Sequence, residues 1–391
     1  MTERGRHPSV ALVLLNNTGI GGAERRFAQV YEGLRRRNRP VLLAINASLL
    51  ARLRAAGLLA AAGVPDLILP EPMGRLAIWV EQAAPPAGAF ARGLAFGLRK
   101  LDYLFGWPRL FLWVKRRRPQ VMHAALGGVY MALPLHALGC APPTVVSVTN
   151  PNLRKMVGAP PGLALFRLSL RLARVVDALS DLVAESVRRE GVETARICVA
   201  PGSSVDTERF RPAAARQPWV VFSGRLIPEK DPALFVEACA LVRAKHPDSR
   251  FFILGDGPLR GEVERLVERH GLRECTRIGW SERVESVLGE ALVFVSLQRT
   301  DNYPSQALLE AMACGAAAVA TDVGLTWKLV DETVGARVKA EPAAVAEAVL
   351  ALLDHPDRAD AMGRRARERV IRDHSMEKYL DYMEGLYARA C

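Results

Sequence analysis

The sequence predicts an α/β protein of two Rossmann-like domains, each a mainly parallel sheet with helices on both faces. Three observations carry that reading. The chain has 391 residues, too many for one ordinary core and comfortable for two. It opens with an apolar run, a glycine-rich loop and a helical pattern, the start of a βαβ unit. A second alternation of strands and helices begins just after a proline-rich stretch at 201–218.

In the first half, Ser9–Leu15 (SVALVLL) reads as a strand, NNTGIGG as its loop and Ala23 to about Arg37 as a helix. Pro40–Ile45 (PVLLAI) is the second strand, so the glycine loop lies where open α/β sheets take ligands. Further strands are expected at Val64–Leu69, Gln120–Ala124, Thr144–Val148, Leu182–Ala184 and Ile197–Ala200. A helical region mixing Leu, Phe and Trp with Arg and Lys fills the interval from Ile78 to Arg118.

Pro201–Pro218 reads as a linker of small residues and prolines. Beyond it WVVFSG (Trp219–Gly224) is a strand, 231–246 an amphipathic helix, and RFFILGDGP a strand entering a Gly-Asp-Gly-Pro turn. A helix, a short strand at Arg277–Gly279, the strand LVFVSL, the helix SQALLEAMACG ending at Gly315 and the strand AAVAT follow.

Composition narrows the classes. Half the residues are apolar and about a quarter charged, which is ordinary for a globular protein. The six cysteines are scattered with no CxxC pair, which argues against a disulfide framework or a zinc site and fits a reducing cytoplasm. The amino terminus lacks a signal-peptide pattern. Between Arg118 and Arg154 no Lys, Arg, Asp or Glu occurs, a length that could span a bilayer. Pro134, Pro142, Pro143 and Pro151, with Gly127, Gly128 and Gly139, cut it into pieces better read as buried strands around a helix. Residues 1–200 hold 27 Lys and Arg against 12 Asp and Glu, and the remainder 26 against 29. The chain's +12 is thus a basic half beside a near-neutral one, which suggests that one domain faces something anionic.

Two constellations could carry chemistry. In Ser223-Gly224-Arg225-Leu226-Ile227-Pro228-Glu229-Lys230-Asp231, Gly224 lets a ligand approach the backbone, and Arg225 and Lys230 can converge on a diphosphate near a helix N-terminus. The same residues would serve as a surface loop whose Arg and Lys pair with Glu229 and Asp231; spacing alone favours neither. In 300–315 (TDNYPSQALLEAMACG) polar residues follow a strand and open a helix whose free amides could take phosphate oxygens. Glu310 falls among apolar neighbours, where a carboxylate needs a partner. A ribose hydroxyl pair and a structural Arg both qualify.

GGAER near the start, VDTERF at the linker, SGRLIPEKD, GDGP, DNYPSQALLEAMACG and TDVG stand in the order seen in family 4 glycosyltransferases, which the chain resembles over most of 205–375. In the first half the match is confined to islands. The resemblance implies the GT-B fold, with two parallel sheets facing across a cleft. Its domains would be 1–205 for the acceptor, 206–374 for a nucleotide-sugar, and a helix at 375–391 crossing back. It implies a retaining, metal-independent hexosyltransferase without cofactor, acting in cell-surface polysaccharide or lipopolysaccharide synthesis. Arg225 and Lys230 would neutralise the donor diphosphate as leaving group. Glu310 would hold the ribose, and backbone amides at Ser305, Gln306 and Ala307 the distal phosphate and sugar, beside Asp301 and Asn302. Gly21 and Gly22 would close over the diphosphate from the first domain.

Two positions depart from the family pattern. Asn302 stands where the family has the first glutamate of Glu-x7-Glu, so the donor-sugar contact is uncharged. Only the first position of the family's H-x-H is filled, by His123, which is either catalytic or a satisfied histidine at a strand end. Front-side attack needs no strong base, since the departing diphosphate can take the acceptor proton; the site must supply positive charge and exclude water.

The first domain should take a glycan or lipid-linked acceptor. The segment Phe90–Pro119 reads either as an interfacial helix on the anionic cytoplasmic face of a membrane or as a buried helix with a solvated basic face. A dehydrogenase is disfavoured, because Gly19-Ile20-Gly21-Gly22 is not G-x-G-x-x-G and Asn46 follows the second strand. A GT-B sugar-nucleotide epimerase would need its own acid/base set, and a glycogen-type phosphorylase a larger chain. A non-catalytic sugar-nucleotide-binding module is the reading from another class, and no motif supports nucleic-acid binding.

Overall fold

The computed structural model describes residues 7–15, 21–60, 65–83, 89–153, 160–279 and 283–391. They divide into two compact units, one of 1–201 with 380–391 and one of 202–379.

The first unit holds a seven-stranded sheet of β1 (Val10–Leu15), β2 (Val41–Asn46), β3 (Leu67–Leu69), β4 (Val121–Leu126), β5 (Thr144–Val148), β6 (Val175–Ala178) and β7 (Ile197–Val199). Its order is β3-β2-β1-β4-β5-β6-β7, and every paired neighbour is parallel. β1 is buried at all six positions, as a strand covered on both faces must be, which explains its unbroken apolar run. In register, Leu12 lies between Leu43 of β2 and His123 of β4. The connecting helices are α1 (Gly22–Arg36), α2 (Ala47–Ala55), α3 (Pro72–Ala83), α4 (Ala89–Arg117), α5 (Gly128–Ala137), α6 (Pro160–Leu172) and α7 (Asp181–Arg189). The uncharged interval after Arg118 is β4, α5 and β5, and among the described residues no helix is long and apolar enough to cross a membrane.

One expected strand is a helix. Leu182–Ala184 belongs to α7, whose N-cap Ser180 accepts a hydrogen bond from the Val183 amide at 3.4 Å. Val183, Ala184 and Val187 face inward while Leu182 is exposed, so the seam of this amphipathic helix takes only two of the three apolar letters and continues at Val187. The strand is Val175–Ala178, one β-branched run earlier.

The second unit holds six parallel strands, β8 (Gln217–Ser223), β9 (Arg250–Leu254), β10 (Thr276–Gly279), β11 (Ala291–Ser296), β12 (Ala317–Thr321) and β13 (Gly335–Val338), in the order β10-β9-β8-β11-β12-β13. Counting strands within the unit, this is the 3-2-1-4-5-6 order that the first six strands of the other unit also follow. Its helices are α8 (Pro232–Lys245), α9 (Arg260–Arg269), α10 (Val284–Glu290), α11 (Gln306–Ala313), α12 (Pro342–Leu353) and α13 (Pro356–His374). In both units the order reverses between the first and fourth strands, which makes a crevice at their carboxyl ends.

The C-terminal helix α14 spans Met376–Ala390, and its residues from Leu380 onward group with the first unit. There Arg37 bonds Asp381 at 2.7 Å and Glu384 at 3.0 Å, and Arg39 bonds Glu384 at 3.1 Å.

Candidate active site

The second unit's crevice is bounded by the loops after β8 and β11. After β8 the chain passes Gly224 and exposed Arg225, buries Leu226, and makes a short turn at Pro228–Lys230. The stem of Lys230 folds over Gly224, where an added Cβ would lie 3.8 Å from Lys230 Cδ. Burial, and then the Arg225 charge, push the Lys230 ammonium down to about 8. A cation held partly dry beside another cation is short of a counter-charge.

Asp231 does not supply it. Its buried carboxylate takes both prongs of Arg299, Nε at 2.8 Å and Nη2 at 3.1 Å. The Arg299 amide also donates to the Glu229 carbonyl at 3.1 Å. Among the described residues neither Arg225 nor Lys230 makes an ion pair with Asp231. The surface-loop alternative is therefore removed for that carboxylate, and the two βα loops are pinned together across the switch point.

The loop after β11 is held from its other side. Thr321 Oγ1 accepts from the Gln298 amide at 2.8 Å and donates to the Gln298 carbonyl at 3.0 Å. Asp301 Oδ1 accepts the Leu325 amide at 2.6 Å, packed so closely on Gly324 (φ +54°) that a Cβ there would fall 2.0 Å from it. The Thr-Asp-Val-Gly turn is thus a clamp, and the Asp301 side chain points into that clamp. Asn302, next to it, is exposed.

α11 starts at buried Ser305, leaving its first-turn amides without acceptors in the helix. Gln306 donates to the Ser204 carbonyl at 3.2 Å and to Glu310 Oε1 at 3.1 Å, and accepts from the Ser203 hydroxyl. The half-buried Glu310 is therefore met by Gln306, one turn earlier on the same helix, where a structural Arg was one expectation. Two arginines secure the far end of the helix. Arg216 Nη2 reaches the Cys314 carbonyl at 2.6 Å and Arg367 Nη1 the Ala313 carbonyl at 2.5 Å, cations placed at the negative pole of the helix.

The Gly-Asp-Gly-Pro turn has a packing role. A Cβ on Gly255 would stand 1.9 Å from the Gly224 carbonyl oxygen, and one on Gly257 2.5 Å from that of Leu226. With the Leu226 amide on the Asp256 carbonyl at 3.0 Å, this turn is the floor beneath the Arg225–Lys230 loop. Sequence reading missed this floor, the Arg299 strut and the Gln306 bridge. A charged residue three positions beyond a strand end is a weak signal for the strut, the i, i+4 spacing of Gln306 and Glu310 is one for the bridge, and no local signal marks the floor.

In the first unit, Gly21 N-caps α1 and its amide donates to Glu24 Oε2 at 2.7 Å, while Gly22 has nothing within 4 Å of where a Cβ would stand. Residues 16–20 of this loop lie outside the described residues. His123 is neither at the strand end nor accessible. It sits in the middle of β4 with no exposed surface, Nε2 2.7 Å from Ser147 Oγ and Nδ1 2.9 Å from Tyr387 Oη. Ser147 donates to Asp177 at 2.5 Å, so its oxygen must accept from His123 Nε2–H, and Tyr387 then donates to Nδ1. Tyr382 donates to the other oxygen of Asp177 at 2.6 Å. Burial, aided by the Arg26 charge, pushes the imidazole down to about 3. Of the two readings of His123, this geometry fits the satisfied histidine, a link in a buried chain of hydrogen bonds, and not a side chain that meets substrate.

Residues 204–369 match the family model described as glycosyl transferases group 1. The chain is 33% identical over 146 residues to a phosphatidylinositol N-acetylglucosaminyltransferase component of Arabidopsis thaliana, covering 36% of this chain and 32% of that protein. It is 28% identical over 241 residues to alpha-D-kanosaminyltransferase of Streptomyces kanamyceticus, covering 56% and 62%. The aligned region thus spans between about a third and three fifths of these curated relatives. Among solved structures, Anabaena HepE in complex with UDP and glucose has a TM-score of 0.71 at 14% identity, covering 97% of this chain and 99% of that one. Sucrose-phosphate synthase of Thermosynechococcus elongatus also has a TM-score of 0.71, at 18% identity, covering 97% and 98%. At these identities the likeness is one of fold. Residues 204–369 are thus similar to the glycosyl transferases group 1 family, and the chain has the GT-B fold of these solved structures.

Proposed function

We propose that the chain is a retaining, metal-independent glycosyltransferase that moves a sugar from a nucleoside-diphosphate sugar to a glycan or lipid-linked acceptor. Cell-surface polysaccharide or glycolipid synthesis on the cytoplasmic side of a membrane is the setting this reading gives it. The observation that carries it is that the Arg225–Lys230 loop follows β8 and the amide end of α11 follows β11, the two strands that flank the switch point. The glycosyltransferases among the named relatives and the HepE structure that holds UDP and glucose support a nucleotide-sugar as donor.

In this reading the diphosphate lies on Arg225, Lys230 and the first-turn amides of Gln306 and Ala307. Gly224 lets it approach the backbone and Glu310 accepts from the ribose hydroxyls, exchanging part of its bond with Gln306. Asn302 contacts the donor sugar, and Asp301 holds that loop in place. As the glycosidic bond breaks, negative charge grows on the diphosphate, where a depressed Lys230 regains its full affinity for a proton. The leaving phosphate oxygen takes the acceptor proton, so no side chain is needed as a strong base. A thermal-shift panel of UDP-, GDP- and ADP-sugars on the wild type and on Arg225→Ala, Lys230→Ala and Glu310→Ala tests the site. Donor-dependent stabilisation should vanish in the first two and weaken in the third; stabilisation intact in all three overturns it, and binding without transfer or hydrolysis favours a non-catalytic module.

A further inference from the structure

We infer that the outer face of the α3–α4 helix pair docks on an anionic phospholipid surface. That this brings the enzyme to a lipid-linked acceptor rests on the function proposed above; the docking itself does not.

α4 is 29 residues long and apolar on two opposite faces. The inner face buries Leu110, Trp113 and Val114 against the sheet of the first unit. The outer face carries Leu101, Leu104, Phe105 and Leu112, between 43% and 69% exposed, at the i, i+3, i+4 and i+11 spacing of one helical stripe. A helix at the surface of a water-facing domain turns polar residues outward, so a second apolar stripe calls for an apolar partner. The neighbouring α3 adds Leu76 and Trp79, the latter 64% exposed. Of seventeen exposed large apolar residues among those described, seven lie on these two helices.

Charge selects the partner. Residues 72–118 contain nine Lys and Arg against two Asp and Glu, +7 of the chain's +12. One of the two acids, Asp102, is buried and accepts the Met73 amide at 2.7 Å, so it does not offset the surface charge. Exposed Arg109, Lys115 and Arg116 flank the α4 stripe on both sides. A second copy of this face would meet it with like charge. Anionic headgroups around an acyl boundary match both halves of the pattern, with Trp, Phe and Leu entering the boundary and cations at headgroup level. No described helix is built to cross, so the mode is docking in the interface plane.

The test is flotation of the whole chain with vesicles of phosphatidylcholine alone or doped with phosphatidylglycerol, at low and high salt. Binding is expected only to doped vesicles, weakened at least about tenfold at high salt. The triple variant Trp79→Ser, Leu104→Ser, Phe105→Ser and the double variant Lys115→Glu, Arg116→Glu should each lose about tenfold, with melting temperature and donor response unchanged. If the triple variant fails to fold, the charge variant decides alone. Wild-type chain that ignores doped vesicles, or variants that bind as well as wild type, overturn the inference. So does a dimer that the triple variant turns into monomer without any lipid binding. Donor hydrolysis in solution reads the proposed function separately, so either can fail without the other.

Discussion

Asp231 and Arg299, 68 residues apart in the chain, form a two-pronged ion pair that joins the loops after β8 and β11. It occupies the carboxylate that otherwise stands next to Lys230. Arg299→Gln should release that carboxylate toward Lys230 and slacken the crevice. Donor affinity measured by calorimetry is expected to fall about tenfold, with the melting temperature little changed because the Arg299 end is exposed. Unaltered affinity would show that the strut does not serve the site.

Lys230 carries an electrostatic cost in the crevice. Its folded value near 8 lies below the ordinary 10.5, so between those two pH values the unfolded chain holds a proton that the folded chain has released. Stability from this group therefore rises with pH across that window, and below pH 8 the folded protein bears the full penalty. Lys230→Met should make the ligand-free protein more stable at pH 7 by about 1–2 kcal/mol once partial exposure is discounted, the gain fading by pH 10. The same variant should lose its thermal response to donor. Wild-type donor affinity should decline as pH rises through about 8, and an affinity flat from pH 7 to 9 contradicts the assignment.

His123 gives the opposite kind of prediction. With both nitrogens bonded inside the fold, it should leave no limb between pH 5 and 8 in an activity profile. Its folded value near 3 lies below the ordinary 6.5, so the unfolded chain binds the extra proton and stability falls as pH drops from 6.5 toward 3. His123→Ala should cost about 2–4 kcal/mol, from the cavity and from the stranded hydroxyls of Ser147 and Tyr387. Turnover per folded molecule should be kept; a thousandfold loss in well-folded protein would restore a catalytic role.

The contrast between Lys230 and His123 shows what a sequence exposes. Alternating strands and helices carry their own periodicity, so Ser9–Leu15 and the strand at Trp219 are legible from the letters. Leu182–Ala184 is not, because three apolar residues fit a strand as well as a helical seam, and the deciding Ser180 cap is a single hydroxyl. Spacing alone leaves Arg225, Lys230 and Glu310 undecided, and the resemblance of the motifs around them is what marks them as site candidates. What restrains them is less legible: Arg299 and the Gly255 floor act across the sheet, where chain spacing holds no information, and only Gln306 meets its partner Glu310 at the i, i+4 spacing of one helix. His123 misleads for the same reason, since its partners Ser147 and Tyr387 lie 24 and 264 residues away.

Gly255 makes the floor testable. Gly255→Ala would drive a methyl into the Gly224 carbonyl at 1.9 Å, backbone against backbone, so the Arg225–Lys230 loop must lift. The expected cost is about 1–3 kcal/mol of stability with a larger loss of donor affinity. Gly261→Ala, on α9 and near only the far end of a flexible Arg265, is the control and should leave both unchanged. Equal effects of the two would mean that the turn is not a support.

In the proposed function Asn302 bears on which sugar is moved. It is exposed beside Asp301, whose carboxylate is committed to the Leu325 amide, so the loop already has its structural anchor and position 302 is left to meet the ligand. An amide offers one donor pair and one acceptor, whereas a carboxylate only accepts and carries charge. Asn302→Glu should therefore keep the fold and the nucleoside-diphosphate affinity, because the proposed diphosphate and ribose contacts lie on Arg225, Lys230 and Glu310. What should change is the ratio of kcat/KM among donor sugars of one nucleotide, by about tenfold or more, the worth of one or two hydrogen bonds in a desolvated pocket. The measurement is a competition between donors that share a nucleotide, read by product mass. A preference order identical to wild type would take Asn302 out of the sugar pocket, while lost affinity for the free nucleoside diphosphate would place it at the phosphates instead.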